Sequence, residues 1–158
     1  MLVVGQKAVR ARVIKWYMDA AGYPEGCVCF SCGNAAAALR AAGVRVLEVG
    51  PHGALRPGHW WEPEEVHRAW PHLFDATSGH LPLPLMARIA EALRTELQEI
   101  GEGPHDIPTG SGETIVCLRM AYPNVRFRPT SLGTPETLWD PQGPLYGVVH
   151  GPAGYPTG

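Results

Sequence analysis

The sequence predicts an α/β domain with a mainly parallel sheet and flanking helices, on three observations. A strand, turn, helix and strand follow one another through residues 27–49, and a second such series runs through 105–128. Between them, at 84–100, lies a long amphipathic helix. At 158 residues, 45% of them apolar and 18% charged, the chain suits one globular domain with one hydrophobic core. We assign that domain to residues 1–150 and a flexible tail to 151–158 (GPAGYPTG).

Each element has a local reason. Residues 8–21 read as a helix with Val9, Val13, Trp16, Tyr17 and Ala20 on one face and Gly22 to close it. The apolar run Cys27–Ser31, bounded by Gly26 and Gly33, suits a buried parallel strand. Its alternation puts Cys27 and Cys29 on one face with Ser31. The small-residue segment Asn34–Ala42 follows as a helix ended by Gly43, and Val44–Val49 is the next strand, which completes a βαβ unit. Pro63, with Glu64 and Glu65 behind it, opens a short helix over 63–70. Leu85, Ile89, Leu93, Leu97 and Ile100 recur at helical steps. The segment before that helix reads as loop. A strand at 105–108 runs into Thr109-Gly-Ser-Gly-Glu-Thr114, then a helix to about Tyr122 and a strand at Val125–Arg128.

Composition excludes several functions. No apolar run approaches the roughly 18 residues of a membrane span. The start has no basic region ahead of an apolar stretch, so no signal peptide is expected and the cytoplasm is the expected location. A net charge of −2 gives no general reason to bind nucleic acid. Cys27, Cys29 and Cys32 lie too close together for a disulfide framework. Cys29 and Cys32 form a CxxC, open to a thiol-redox or zinc reading, but no second ligand pair follows, and no metal site is expected.

Three segments can carry chemistry. In IPTGSGET the turn between strand and helix aims backbone N–H groups and a helix dipole at one point, which suits a phosphate. Gly110 and Gly112 permit close approach, and Ser111 and Thr114 supply hydroxyls; the same residues also suit a plain tight turn with Ser111 as N-cap. Glu113 is awkward there, because a carboxylate about 5 Å from a phosphate costs about 3 kcal/mol at a dielectric of about 20. The expectation is that its side chain points outward. Ser31-Cys-Gly-Asn34 can cradle a carboxylate or a phenolic oxygen, or Asn34 simply caps the next helix. Lys7 lies where the first helix begins, a place for a solvated side chain or for a neutral, imine-forming amine that the dipole favours. Lys7 and Lys15 are the only lysines among thirteen basic residues.

Taken in order (lysine and helix, strand-SxGN-helix-strand, strand-GSGxT-helix-strand) the chain resembles the pyridoxal phosphate (PLP) enzymes of fold type II, the tryptophan synthase β-subunit-like superfamily, in a shortened form. The resemblance covers roughly residues 5–128 and is sharpest at IPTGSGETIVCLRMAYPNVRF, 107–127. It implies that Lys7 is the catalytic residue and carries the cofactor through an imine. It implies that Asn34 bonds the cofactor's 3′-oxygen, and that Gly110, Ser111, Gly112, Glu113 and Thr114 hold its phosphate. Ser31, Cys32, Gly33 and Asn34 would line the site for the substrate carboxylate. Thr130 and Ser131 are candidates to face the pyridine nitrogen. Glu113 stands where the family more often has glycine.

The function this implies is a PLP-dependent, lyase-like enzyme acting at the α- or β-carbon of an amino acid or an amino-acid-bearing substrate, by elimination, replacement, deamination or decarboxylation. A homodimer is expected, since so small a core should leave apolar surface uncovered. One alternative is a non-catalytic βαβ module binding a phosphometabolite or nucleotide. Another is a phage-type PLP enzyme modifying an amino-acid group on a hypermodified nucleotide, the one route by which nucleic acid would be a partner.

Overall fold

A computed structural model describes residues 6–30, 34–49, 61–97, 100–108 and 113–130. In chain order the elements are α1 (Gln6–Ala21), β1 (Cys27–Cys29), α2 (Asn34–Ala41), β2 (Val46–Glu48) and α3 (Pro63–Ala69). They continue as β3 (Phe74–Asp75), α4 (Leu83–Leu97), β4 (His105–Pro108), α5 (Glu113–Ala121) and β5 (Phe127–Thr130). The class is mixed α/β, with short parallel strands and flanking helices.

The strands fall into two sheets among the described residues rather than one. The first has the order β2-β1-β3, and the second pairs β4 with β5. All pairings are parallel: Cys27 lies opposite both Val46 and Phe74, and His105 lies opposite Phe127. Asp106 and Arg128 stand opposite each other on the second sheet and are ion-paired at 2.5 Å. β3 falls in a stretch that the sequence reading assigns to loop. It has only two residues, and its neighbour β1 supplies the partners that make it a strand.

β1 is covered on both faces. Cys27 and Cys29 point into the main core with Ile14, Leu39, Ile89 and Leu118, whereas Val28 and Phe30 join Val49, Trp61 and Val66 in a second cluster under α3. This is the pleat alternation expected of a strand buried on both sides. α4 packs between α1 and α5, and α1 also packs on α2. Gly43, at φ +90°, closes α2 as expected, with Val44 N–H donating back to Leu39 O at 3.0 Å.

The buried face of α1 differs from the expected one. Val9, Arg10, Ala11, Ile14 and Met18 are buried, whereas Trp16 is 52% exposed and Ala20 is exposed. Arg10 was not part of the expected face, because an arginine is buried only where a partner neutralises it.

Gly26 admits β1 between its neighbours. It has φ +106°, its carbonyl accepts Phe74 N–H, and an added Cβ would lie 2.4 Å from the Arg45 carbonyl oxygen. Both the dihedral and the space are closed to a side chain. Gly26→Ala is expected to cost about 2 kcal/mol or more, read as a lower denaturation midpoint. A change within about 0.5 kcal/mol would refute this account of the turn.

Candidate functional site

The described residues converge at the segment 75–80, which leaves β3 and leads to α4. Thr77 is fully buried, and its Oγ1 accepts the N–H of Phe30, the residue that follows β1, at 3.1 Å. Thr77 N–H donates to Asp75 Oδ1 at 3.0 Å, and Asp75 Oδ2 lies 2.8 Å from His80 Nδ1. On the other side, Gly79 N–H donates to Glu113 Oε2 at 2.8 Å. One short turn is therefore bonded both to the residue that follows β1 and to the residue that begins α5.

Arg10 completes the junction. Its Nη2 donates to Ala76 O at 2.7 Å, and its Nε is ion-paired with Glu113 Oε1. Both side chains are buried, at 5% and 3% exposure. Burial by itself lowers the Arg10 pKa, but the Glu113 carboxylate outweighs it and the net direction is upward. Glu113 therefore points inward. The expectation of an outward side chain is corrected: a buried guanidinium and a backbone N–H give the carboxylate better partners than water at the helix start.

Lys7 lies one turn before Arg10 in the first turn of α1 and is half-buried. It has a direct effect on β1: its charge, with that of Arg10, pulls the Cys29 thiol down against burial, while Glu113 and Asp75 push it up. Cys29 Sγ is also 3.6 Å from Ala76 O. Cys29, Arg10, Ala76 and Glu113 thus form one neighbourhood where β1 ends and α5 begins, with Lys7 one helical turn before Arg10.

Of the other expected site residues, Thr114 is buried in the first turn of α5, Asn34 is the first residue of α2, and Thr130 is the last of β5. Ser31, Cys32, Gly33, Gly110, Ser111, Gly112 and Ser131 lie outside the described residues. The Lys15 side chain is 43% exposed, with its Nζ 2.9 Å from Asp19. Sequence reasoning missed Arg10, Asp75, Thr77, Gly79 and His80. The available signals were the lysine–arginine spacing of one helical turn and the run of small and hydroxyl residues in Asp-Ala-Thr-Ser-Gly, 75–79.

Burial pushes the Cys27 and Cys117 thiols up to about 12 and Cys29 to about 11, from an ordinary value of 9.0. The fold favours the protonated thiols. Their contribution to stability is complete below about pH 9 and is lost as the pH rises towards the folded-state values. The denaturation midpoint should therefore fall above about pH 9, and a flat midpoint from there to about pH 11 would contradict the burial. At about pH 8 these three thiols should resist alkylation in native protein and react fully in denaturant.

Among the described residues no group of three or more His, Cys, Asp or Glu could hold a metal ion, and no helix is long and apolar enough to cross a membrane. No protein-family model, curated protein or solved structure matches the chain. The fold and the junction together define a mixed α/β protein in which one turn and one buried ion pair join α1, the residue after β1 and the start of α5.

Proposed function

We propose that the chain is a PLP-dependent, lyase-like enzyme acting at the α- or β-carbon of an amino acid or an amino-acid-bearing substrate. The observation that supports this is the joining of α1, at Arg10 one turn beyond Lys7, to Phe30 after β1 and to the start of α5 through Glu113 and the 76–79 turn. In open α/β sheets ligands bind beyond the carboxyl ends of parallel strands, and in the chain the 31–34 and 110–114 segments come shortly after β1 and β4.

The residues fit such a cofactor in two respects. A phosphate needs the start of a helix with free N–H groups, and α5 is nine residues long with a glycine-rich segment before it. The objection raised by Glu113 is removed, because its carboxylate is engaged by Arg10 and Gly79 instead of facing an anion unpaired. Lys7 would hold the cofactor covalently, Gly110–Thr114 would bind its phosphate and Asn34 its 3′-oxygen. Ser31, Cys32 and Gly33 would bind the substrate carboxylate. When bound, the cofactor supplies an electron sink, and the protein orients the Cα bond to be broken. Arg10 and Glu113 act by holding α1 and α5 together, so that amine and phosphate site keep a fixed separation.

The test is incubation with PLP, borohydride reduction and peptide mass spectrometry. Expected are absorbance at about 410–430 nm and a reduced adduct in the peptide containing Lys7. Saturable binding of inorganic phosphate with no absorbance and no adduct would instead identify a non-catalytic phosphate-binding module.

A further inference from the structure

The pairing of β1 with β3 ends on side chains. Along this parallel pair Phe74 N–H donates to Gly26 O at 3.1 Å, and Ala76 N–H donates to Val28 O at 2.9 Å. The even spacing of a parallel ladder puts the next bond between Phe30 N–H and Ala76 O. Instead Ala76 O accepts from Arg10 Nη2 at 2.7 Å, and Phe30 N–H donates to Thr77 Oγ1 at 3.1 Å. Thr77 is fully buried, and its own N–H donates to Asp75 Oδ1 at 3.0 Å. A backbone acceptor would keep β3 alongside β1. A side-chain hydroxyl satisfies the same buried donor while the main chain leaves the sheet.

Topology gives that place a meaning. From β1 the chain passes through α2 to β2 on one side, then through α3 to β3 on the other side of β1. The strand order therefore reverses between β1 and β3. In open parallel sheets such a switch point, at the carboxyl ends of its two strands, is where ligands bind. Phe30 and Ala76 are the residues that follow β1 and β3 at that end, and the 31–34 segment follows Phe30 directly.

We infer that Thr77 is a positioning residue of the proposed site: its hydroxyl fixes Phe30 at the switch point and so fixes where the Ser31–Asn34 segment begins. The inference deepens the PLP reading and rests on it. Thr77 has a different task from Lys7 and Gly110–Thr114, which would hold the cofactor's reactive carbon and its phosphate. It acts through the segment that would bond the cofactor's 3′-oxygen and the substrate carboxylate. Arg10 supports the same arrangement, because its bond to Ala76 O occupies the acceptor that the ladder would otherwise offer Phe30. Valine has nearly the shape of threonine but no oxygen, so Thr77→Val removes the acceptor with little change in volume and leaves Phe30 N–H to lose that bond. Thr77→Ser keeps the oxygen and loses only a methyl group.

The test is residue-resolved amide hydrogen exchange of the full chain without cofactor, followed by titration with PLP at about 410–430 nm. In the wild type Phe30 N–H should exchange about a hundredfold or more below the rate of an unprotected amide. Exchange at the unprotected rate would overturn the inference with no variant needed. Thr77→Val should speed Phe30 exchange about tenfold or more relative to Cys27, whose N–H bonds to Arg45 O on the other side of β1. It should also raise the dissociation constant for PLP about tenfold, with the borohydride-fixed adduct still on Lys7. Thr77→Ser should bring both quantities to within about threefold of the wild type. Wild-type Phe30 exchange or wild-type PLP affinity in Thr77→Val, or a Thr77→Ser protein as impaired as Thr77→Val, would each overturn the role of Thr77 alone. No adduct on wild-type protein in excess PLP would overturn the PLP reading, and the positioning role with it, whatever the exchange of Phe30.

Discussion

Replacing Glu113 by alanine is expected to destabilise the fold by about 3–5 kcal/mol, the cost of leaving a buried charge without its partner. Arg10 would keep a guanidinium 5% exposed with only the Ala76 carbonyl to accept from it, and Gly79 N–H would lose its acceptor. Arg10→Met should cost a similar amount from the other side. The double variant Arg10→Met/Glu113→Ala should recover most of the loss, because it removes both desolvated charges and leaves apolar side chains in their place. Urea denaturation of the four proteins gives the coupling directly. A single-variant loss below about 1 kcal/mol would put the pair in the class of exposed pairs such as Lys15–Asp19 and refute its structural role.

That pair also marks the boundary of what the sequence makes legible. Helix periods, terminating glycines and β-strand runs are local properties, so α4, β4, α5 and the βαβ unit of β1, α2 and β2 could be read within a few residues. The partner of Arg10 is 103 positions away, and nothing within a helical turn of either residue announces the other. Without that knowledge, a face containing an arginine reads as solvated and the buried side of α1 is assigned to Trp16 instead. β3 fails for a related reason: two residues become a strand only because β1 lies alongside. In the proposed site, the residue types ahead of α2 and α5 could be read from the sequence as candidates to bind an anion. The 75–80 turn that holds them together was not, because its bonds run to Phe30 and Glu113, far away in sequence.

Lys7→Ala is expected to abolish covalent attachment of PLP, with loss of the absorbance at about 410–430 nm and of the borohydride-fixed adduct, while Lys15→Ala leaves both near the wild-type level. The chain offers only these two lysines, so the assignment is a choice between two places on one helix. Lys15 lies two turns further along α1, where it forms an exposed pair with Asp19 at 2.9 Å, on the side of the helix near Gly43. Lys7 is in the first turn, half-buried, and close enough to the end of β1 for its charge to act on Cys29. Alanine removes both the amine and a charge, so Lys7→Arg is the sharper variant. It keeps a positive charge in the first turn of α1, but a guanidinium is a poor nucleophile towards the cofactor's aldehyde. The expected result is a Lys7→Arg protein with a wild-type denaturation midpoint and no adduct. An adduct on Lys15, or none on wild-type protein in excess PLP, would remove the catalytic reading and leave the Arg10–Glu113 junction as a purely structural device.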